Sequence, residues 1–381
     1  MRRIPISPRP DWQQEVEKWG MVYHTHHDQP YWFESAYYEL DADDVERLEE
    51  GTAELHEMCL KAVDRVISTK DFERFKIPEK AWYSVAKSWT DHDPHLYGRF
   101  DLAYDGTNPP KMLEYNADTP TALLEAAVIQ WQWSQAVYPG SDQFNSIWEH
   151  LVERWRLLRE SGALPETIYF AHEEALEDLM TVSLMRDSAL EAGLDTWGIH
   201  MQEIRWNATD RRFVDADEYP IDAFFKLYPW EWLISDEFGN HALLTMDAHQ
   251  WIEPCWKMVL SNKAILTVLW EMFPNNPNLL PAYSNSSRGM ANYVRKPLLS
   301  REGANILIVE GAETIEETSG QYGEEGFIYQ QLAPLPEFDG FRPVIGSWVV
   351  GDEPCGIGIR ESRGLITTDL AQFVPHVITS E

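Results

Sequence analysis

Four polar side chains lie at two-residue spacings on either side of a turn: Arg99 and Asp101 within Tyr97–Tyr104, then Glu114 and Asn116 within Lys111–Asn116. Side chains alternate along a strand, so each pair shares a face. The intervening Asp105-Gly106-Thr107-Asn108-Pro109-Pro110 reads as the turn of a hairpin, with Phe100, Leu102, Leu113 and Tyr115 on the other face. Two carboxylates, one amide oxygen and one guanidinium would converge there. Hard oxygen ligands of this kind suit Mg²⁺, which keeps its remaining positions for water and phosphate oxygens. An adjacent guanidinium would complement a transferring phosphoryl group. The same spacing also suits a surface ion pair of Arg99 with Asp101 or Glu114.

Other segments offer partners for such chemistry. Thr119-Pro120 reads as the N-cap and first residue of a helix through about Trp133. Its free N–H groups would hold a carboxylate or phosphate, or simply be capped. Lys296, in Tyr293–Leu299, precedes Ser300-Arg301-Glu302-Gly303-Ala304, a point charge beside a small turn that would cradle a phosphate. Alone it reads equally as a solvated lysine. No GxxxxGK[ST], GxGxxG or GxSxG pattern occurs. His24-Thr25-His26-His27 precedes Asp28-Gln29-Pro30 and reads as a solvated loop before a metal site. Glu324-Glu325 reads as an exposed turn, and Cys355 has no local His partner.

The elements that must position these residues form an α+β pattern. Val45, Leu48, Thr52, Leu55, Cys59, Ala62 and Val66 recur at three- and four-residue steps, predicting a helix over about 41–67 with Asp41 as N-cap. Cys59 falls on its apolar stripe. Residues 166–255 alternate short strands (Thr167–Phe170, Trp197–Ile204, Ala223–Tyr228) with a helix over about 174–192, which suits a small α/β layer. A helix with Lys263 near its start runs to about Phe273. Strands follow at Tyr293–Leu299, Asn305–Glu310, Phe327–Leu332, Val344–Val350 and Gly356–Glu361.

Composition narrows the function classes. The chain has 381 residues, 44% hydrophobic and 25% charged, which is ordinary for a folded protein. With 31 basic and 63 acidic residues its formal charge is −32, so it repels a phosphodiester backbone and favours a cationic small molecule. Three cysteines without CxxC spacing predict a reduced, cytoplasmic chain. Met1-Arg2-Arg3-Ile4-Pro5 lacks the apolar run of a secretory signal, and no run suits a membrane span. Seventeen tryptophans, together with the carboxylates, also admit a glycoside hydrolase, which needs two carboxyls about 5–10 Å apart.

The motifs as a set resemble the synthetase module of the glutathionylspermidine synthase family. They are Tyr97-Gly98-Arg99-Phe100-Asp101, Leu113-Glu114-Tyr115-Asn116-Ala117-Asp118-Thr119-Pro120-Thr121, Ser261-Asn262-Lys263-Ala264-Ile265-Leu266, Lys296-Pro297, Ile328-Tyr329-Gln330-Gln331-Leu332 and Gly358-Ile359-Arg360. They recur in family order from about residue 10 to the C-terminus, and are most similar to the stand-alone acid–amine ligase-like members without an amidase domain. The resemblance implies an ATP-grasp fold with a pre-ATP-grasp α/β layer. It divides the chain into 1–120 (helical segment and metal hairpin), 121–255 (α/β layer) and 256–381 (nucleotide-binding part).

It further implies ATP and Mg²⁺ as cofactors, and amide formation between a small or peptidic acid and an amine, as with glutathione and a polyamine. Asp101, Glu114 and Asn116 would hold Mg²⁺; Arg99 and Arg360 would act at the phosphoryl-transfer centre. ATP would meet Arg99, Phe100, Asp101, Lys263, Lys296, Glu302, Gly303, Gln330, Gln331, Leu332, Ala333, Leu365, Ile366 and Thr367. Thr119, Glu177 and Asp178 would face the substrates. One departure is Gln372, where the family carries a polyamine-binding acid; a buried ammonium needs a charge partner. A nucleotide-binding pseudo-enzyme is the competing expectation.

Overall fold

The computed structural model describes residues 1–26 and 28–379. The long helix spans Ala42–Thr69, and Asp41 caps it reciprocally: Asp44 N donates to Asp41 Oδ1 at 2.8 Å and Asp41 N to Asp44 Oδ2 at 3.1 Å. Leu48, Thr52, Leu55, Cys59, Ala62 and Val66 are buried as their spacing predicts. All three cysteines are buried, and burial pushes their thiols up, which makes them core residues. No helix among the described residues is long and apolar enough to cross a membrane.

The predicted hairpin is present, as Tyr97–Ala103 and Lys111–Asn116, and it forms one end of a five-stranded antiparallel sheet. Its remaining strands come from the far end of the chain: Arg342–Val350, Glu353–Ser362 and Gln372–Val374. A second five-stranded antiparallel sheet has the order Ala282–Tyr283, Phe327–Gln331, Asn292–Pro297, Leu307–Glu310, Glu313–Glu317. The α/β layer is a parallel sheet ordered Gln250–Ile252, Ala223–Leu227, Thr167–His172, Asp195–His200, with the helix Leu176–Glu191 between two of its strands in sequence. Arg2–Pro5, Ala36–Leu40 and His376–Ile378 make a smaller sheet. The hairpin sheet thus draws on residues 97–116 and 342–374 together, so the linear division of the chain does not follow the sheets.

Three local expectations are corrected. Register runs Arg99↔Asn116 and Asp101↔Glu114 but then Leu102↔Met112, so Leu113 is the extra residue of a bulge and lines the cavity instead of joining Phe100. The helix expected from Thr119 starts only at Leu123, passes through a π-helical turn at Glu125–Ile129 and continues as Gln130–Val137. Thr119 is therefore no N-cap, and the stretch before the helix includes Ala122 at φ +63°. The strand expected over Trp197–Ile204 ends at His200, where a 3₁₀ turn begins.

Candidate active site

Both five-stranded sheets and the parallel layer contribute to one cavity of about 380 Å³. The hairpin supplies its floor. Arg99 and Asp101 are 7% and 5% exposed, so the ion pair weighed from spacing exists but is buried. Arg99 Nε donates to Asp101 Oδ1 at 2.8 Å, Arg99 Nη1 to the Thr121 carbonyl at 2.6 Å, and Arg360 Nη2 to Asp101 Oδ2 at 2.6 Å. Two guanidiniums thus share one carboxylate. Arg99 lies flat across the sheet because position 346 is glycine; a Cβ there would stand 2.9 Å from Arg99 Cδ.

Glu114 lies across the strand pair from Asp101, with Lys263 Nζ at 3.1 Å and Asn116 Nδ2 at 3.3 Å. Burial pushes its carboxyl up, but Lys263 and Lys296 outweigh that and hold it down at about 2. Asn116 turns its amide nitrogen to Glu114, which leaves its oxygen for another partner. Lys263 also donates to the Ser300 carbonyl at 2.6 Å, and Lys296 to the Leu113 carbonyl at 2.9 Å. Gln330 Nε2 takes the neighbouring Met112 carbonyl at 2.9 Å. The bulge therefore does two things: it turns Leu113 into the cavity, and its carbonyls anchor the second sheet above the hairpin.

The cavity's roof is the Glu302-Gly303 turn, where both residues have positive φ, +52° and +71°. A Cβ on Gly303 would meet Ile366 Cγ2 and the Thr367 carbonyl at 2.8 Å, so only glycine lets this turn rest on the 365–367 loop. Glu316 fixes that loop by accepting from Leu365 N and Ile366 N at 2.8 and 3.2 Å. Asp118 ties the hairpin's exit to the parallel layer, accepting from Lys226 Nζ at 2.5 Å and Trp230 N at 2.9 Å. Asp118 and Lys226 are each 1% exposed, so removing either leaves a buried charge at a cost of about 3–5 kcal/mol.

Every residue that the resemblance assigns to ATP, Mg²⁺ or the substrates borders this cavity except Phe100. Its ring faces away, fully buried and stacked on Tyr115 with centroids 3.8 Å apart, so its side chain cannot touch a nucleotide in the cavity. Thr119 meets Arg301, whose Nη1 donates to its hydroxyl at 2.7 Å while Nη2 holds Glu231 at 2.8 Å. Sequence reasoning missed Arg301; its only signal was the place beside Glu302-Gly303. Thr121 donates to Glu177 at 2.6 Å. Gln372 gives its amide to the Pro30 carbonyl, and Asp369 lines the cavity instead. With Glu173, Glu177, Asp178 and Glu302 it makes that wall acidic.

Elsewhere, His24 is bound to Thr25 and Glu17, and His26 to Tyr23; His27 lies outside the described residues. Glu325 faces inward locally, accepting from Leu299 N and Gly323 N at 3.3 and 2.8 Å.

The fold belongs to the glutathione synthetase-like class. A glutathione synthetase-like effector of Globodera pallida superposes with a TM-score of 0.60 at 9% identity, over 97% of this chain and 96% of that one. The family model described as glutathionylspermidine synthase preATP-grasp matches residues 3–379, and the chain belongs to that family. It is 41% identical to a Haemophilus influenzae protein provisionally described as an acid–amine ligase, over 99% of both chains. It is 32% identical to trypanothione synthetase of Crithidia fasciculata and 27% to the bifunctional glutathionylspermidine synthetase/amidase of Escherichia coli, spanning 55% and 60% of their lengths.

Proposed function

We propose that this protein is an ATP- and Mg²⁺-dependent acid–amine ligase of the ATP-grasp type, with residues 121–255 as its pre-ATP-grasp layer, forming an amide through an acyl phosphate. The observation that carries the reading is the meeting of Arg99, Arg360, Lys263 and Lys296 around Asp101 and Glu114 in one cavity. Four cations about two carboxylates leave positive charge for phosphates, and a glycosidase would have no use for the two lysines.

Asp101, Glu114 and the Asn116 amide oxygen fit Mg²⁺, being hard donors on adjacent positions of one sheet face. When bound, the ion would neutralise charge on the phosphates. Lys263 and Lys296 would exchange their present backbone partners for phosphate oxygens, under the Glu302-Gly303 turn and the 365–367 loop. Gln330, Gln331, Leu332 and Ala333 would border the base. Arg99 and Arg360 would stabilise charge on the transferring phosphoryl group and on the tetrahedral centre that follows. Thr119 and Arg301 would take the acid's carboxylate, and the acidic wall at Glu177 and Asp178 a cationic amine.

Burial, then Glu177, Glu173 and Glu302, push the Asp178 carboxyl up to about 7. It gains charge as pH rises, while an alkylammonium stays protonated. KM for the amine should therefore fall several-fold between pH 6 and 7.5, and Asp178→Asn should flatten the profile, as read by initial rates. The reading itself is tested by trapping with hydroxylamine. Acid-dependent ADP release with an equivalent of hydroxamate is expected; ADP release that needs no acid would overturn it.

A further inference from the structure

A second cavity, of about 700 Å³, shares no lining residue with the first and takes no part in the chemistry described so far. Two helices border it with one face each. Leu124, Ala127 and Trp131 follow helical spacing on one side, and Leu179, Ser183 and Asp187 on the other. Trp148 and Glu149, on the helix Ile147–Glu160, and the segment holding Trp19 and Val22 close its sides. Three of these four elements run on into the first cavity: Val22 precedes Tyr23, Leu179 follows Asp178, and Ala122 stands just before the first helix.

The lining combines three indoles with three acids. Trp19, Trp131 and Trp148 are the indoles, and none of them stacks on another ring or under a cation among the described residues. Trp19 and Trp131 are 49% and 37% exposed, so their rings are open to a ligand. The acids are Asp142, Glu149 and Asp187, none in an ion pair among the described residues, and no Lys, Arg or His lines the cavity. An indole face attracts a cation, more strongly where apolar neighbours exclude water. Leu124, Val128 and Leu179 would cover an apolar body, which gains free energy in proportion to the area buried. The acids would repel an anion, and a bare metal ion would gain nothing from the apolar lining. The volume is that of a small-molecule site. We propose that this cavity is a second binding site, for an organic cation with an apolar body, such as an arylalkylammonium. The inference does not depend on the ligase reading.

The probe is phenethylammonium, with uncharged phenethyl alcohol as its counterpart of similar shape. Because the first cavity also has an acidic wall, calorimetry compares wild type with the double variant Glu177→Gln/Asp178→Asn, which removes two of that wall's charges. The double variant should still bind phenethylammonium. In that background Trp131→Ala should weaken binding about tenfold, and phenethyl alcohol should bind at least about tenfold more weakly than the cation. Asp187→Asn should weaken binding about threefold, an effect that fades at high salt. Wild type labelled with fluorotryptophan reads the site directly: the Trp131 and Trp148 resonances, assigned through their Phe variants, should shift on titration. Resonances of both unchanged at saturation would overturn the proposal, as would binding lost in a folded double variant, equal affinity for the alcohol, or unchanged affinity after Trp131→Ala. A wild-type dimer that Trp131→Ala splits into monomers would make this face an interface between copies and overturn it too.

Discussion

Arg99→Ala should turn over about 10²–10³ times more slowly than wild type while ATP affinity changes by no more than a few-fold. The argument is geometric. Arg99 and Arg360 both hold Asp101 in the resting site, at 2.8 and 2.6 Å, while Lys263 and Lys296, the pair assigned to the phosphates, hold Glu114 and backbone carbonyls instead. Charge that develops during transfer would therefore meet the guanidiniums, and binding would depend on the lysines. Arg99 also holds the Thr121 carbonyl, so Arg99→Ala could loosen the hairpin's exit. Arg99→Lys keeps a charge and loses the flat two-pronged contact; it too should lose turnover at near-constant ATP affinity by calorimetry. Turnover close to wild type in either variant would remove Arg99 from the chemistry.

The converse result is expected for Lys263→Met and Lys296→Met, each weakening ATP binding by about 10²-fold through loss of a charged hydrogen bond to phosphate. A second effect works with the first. Glu114 is held at about 2 by these two ammonium groups against burial, so losing either lets its carboxyl rise and weakens it as a metal ligand. Titration of ATP at several Mg²⁺ concentrations reads both effects. A glycoside hydrolase would tolerate these substitutions, and unchanged nucleotide affinity would contradict the assignment of both lysines.

The first hairpin was legible because local signals agreed: alternation on both strands, a Gly/Asn/Pro turn between them, and four chemically coherent residues on one face. The helix at Ala42–Thr69 was legible for the same reason, its stripe and its Asp41 cap pointing to one register. Expectation failed where distant residues decide. Thr119 has the sequence of an N-cap, but Arg301 claims its hydroxyl and Lys226 claims Asp118 beside it, so no helix forms until Leu123. The bulge at Leu113 depends on Gln330 and Lys296 taking the adjacent carbonyls, partners more than 180 positions away.

Strands at the margins were hidden for another physical reason. Glu313–Glu317 is acidic and mostly exposed, so it shows no apolar alternation, and pairing with Leu307–Glu310 alone defines it. Arg2–Pro5 and Ala36–Leu40 are short, and the latter also pairs with His376–Ile378 from the other end of the chain. In the cavity, Tyr31, Arg301 and Asp369 carry no local motif; convergence alone marks them.

The central claim is that ATP hydrolysis is coupled to joining an acid and an amine. The direct measurement is ADP release by the purified protein with Mg-ATP and glutathione, with and without spermidine, and then with other acids and amines, recording product masses throughout. The account predicts ADP matched one for one by an adduct with the mass of acid plus amine less water, and loss of both in EDTA while the chain stays folded. ATP binding without any adduct across that panel would contradict it and leave a nucleotide-binding protein without ligase turnover.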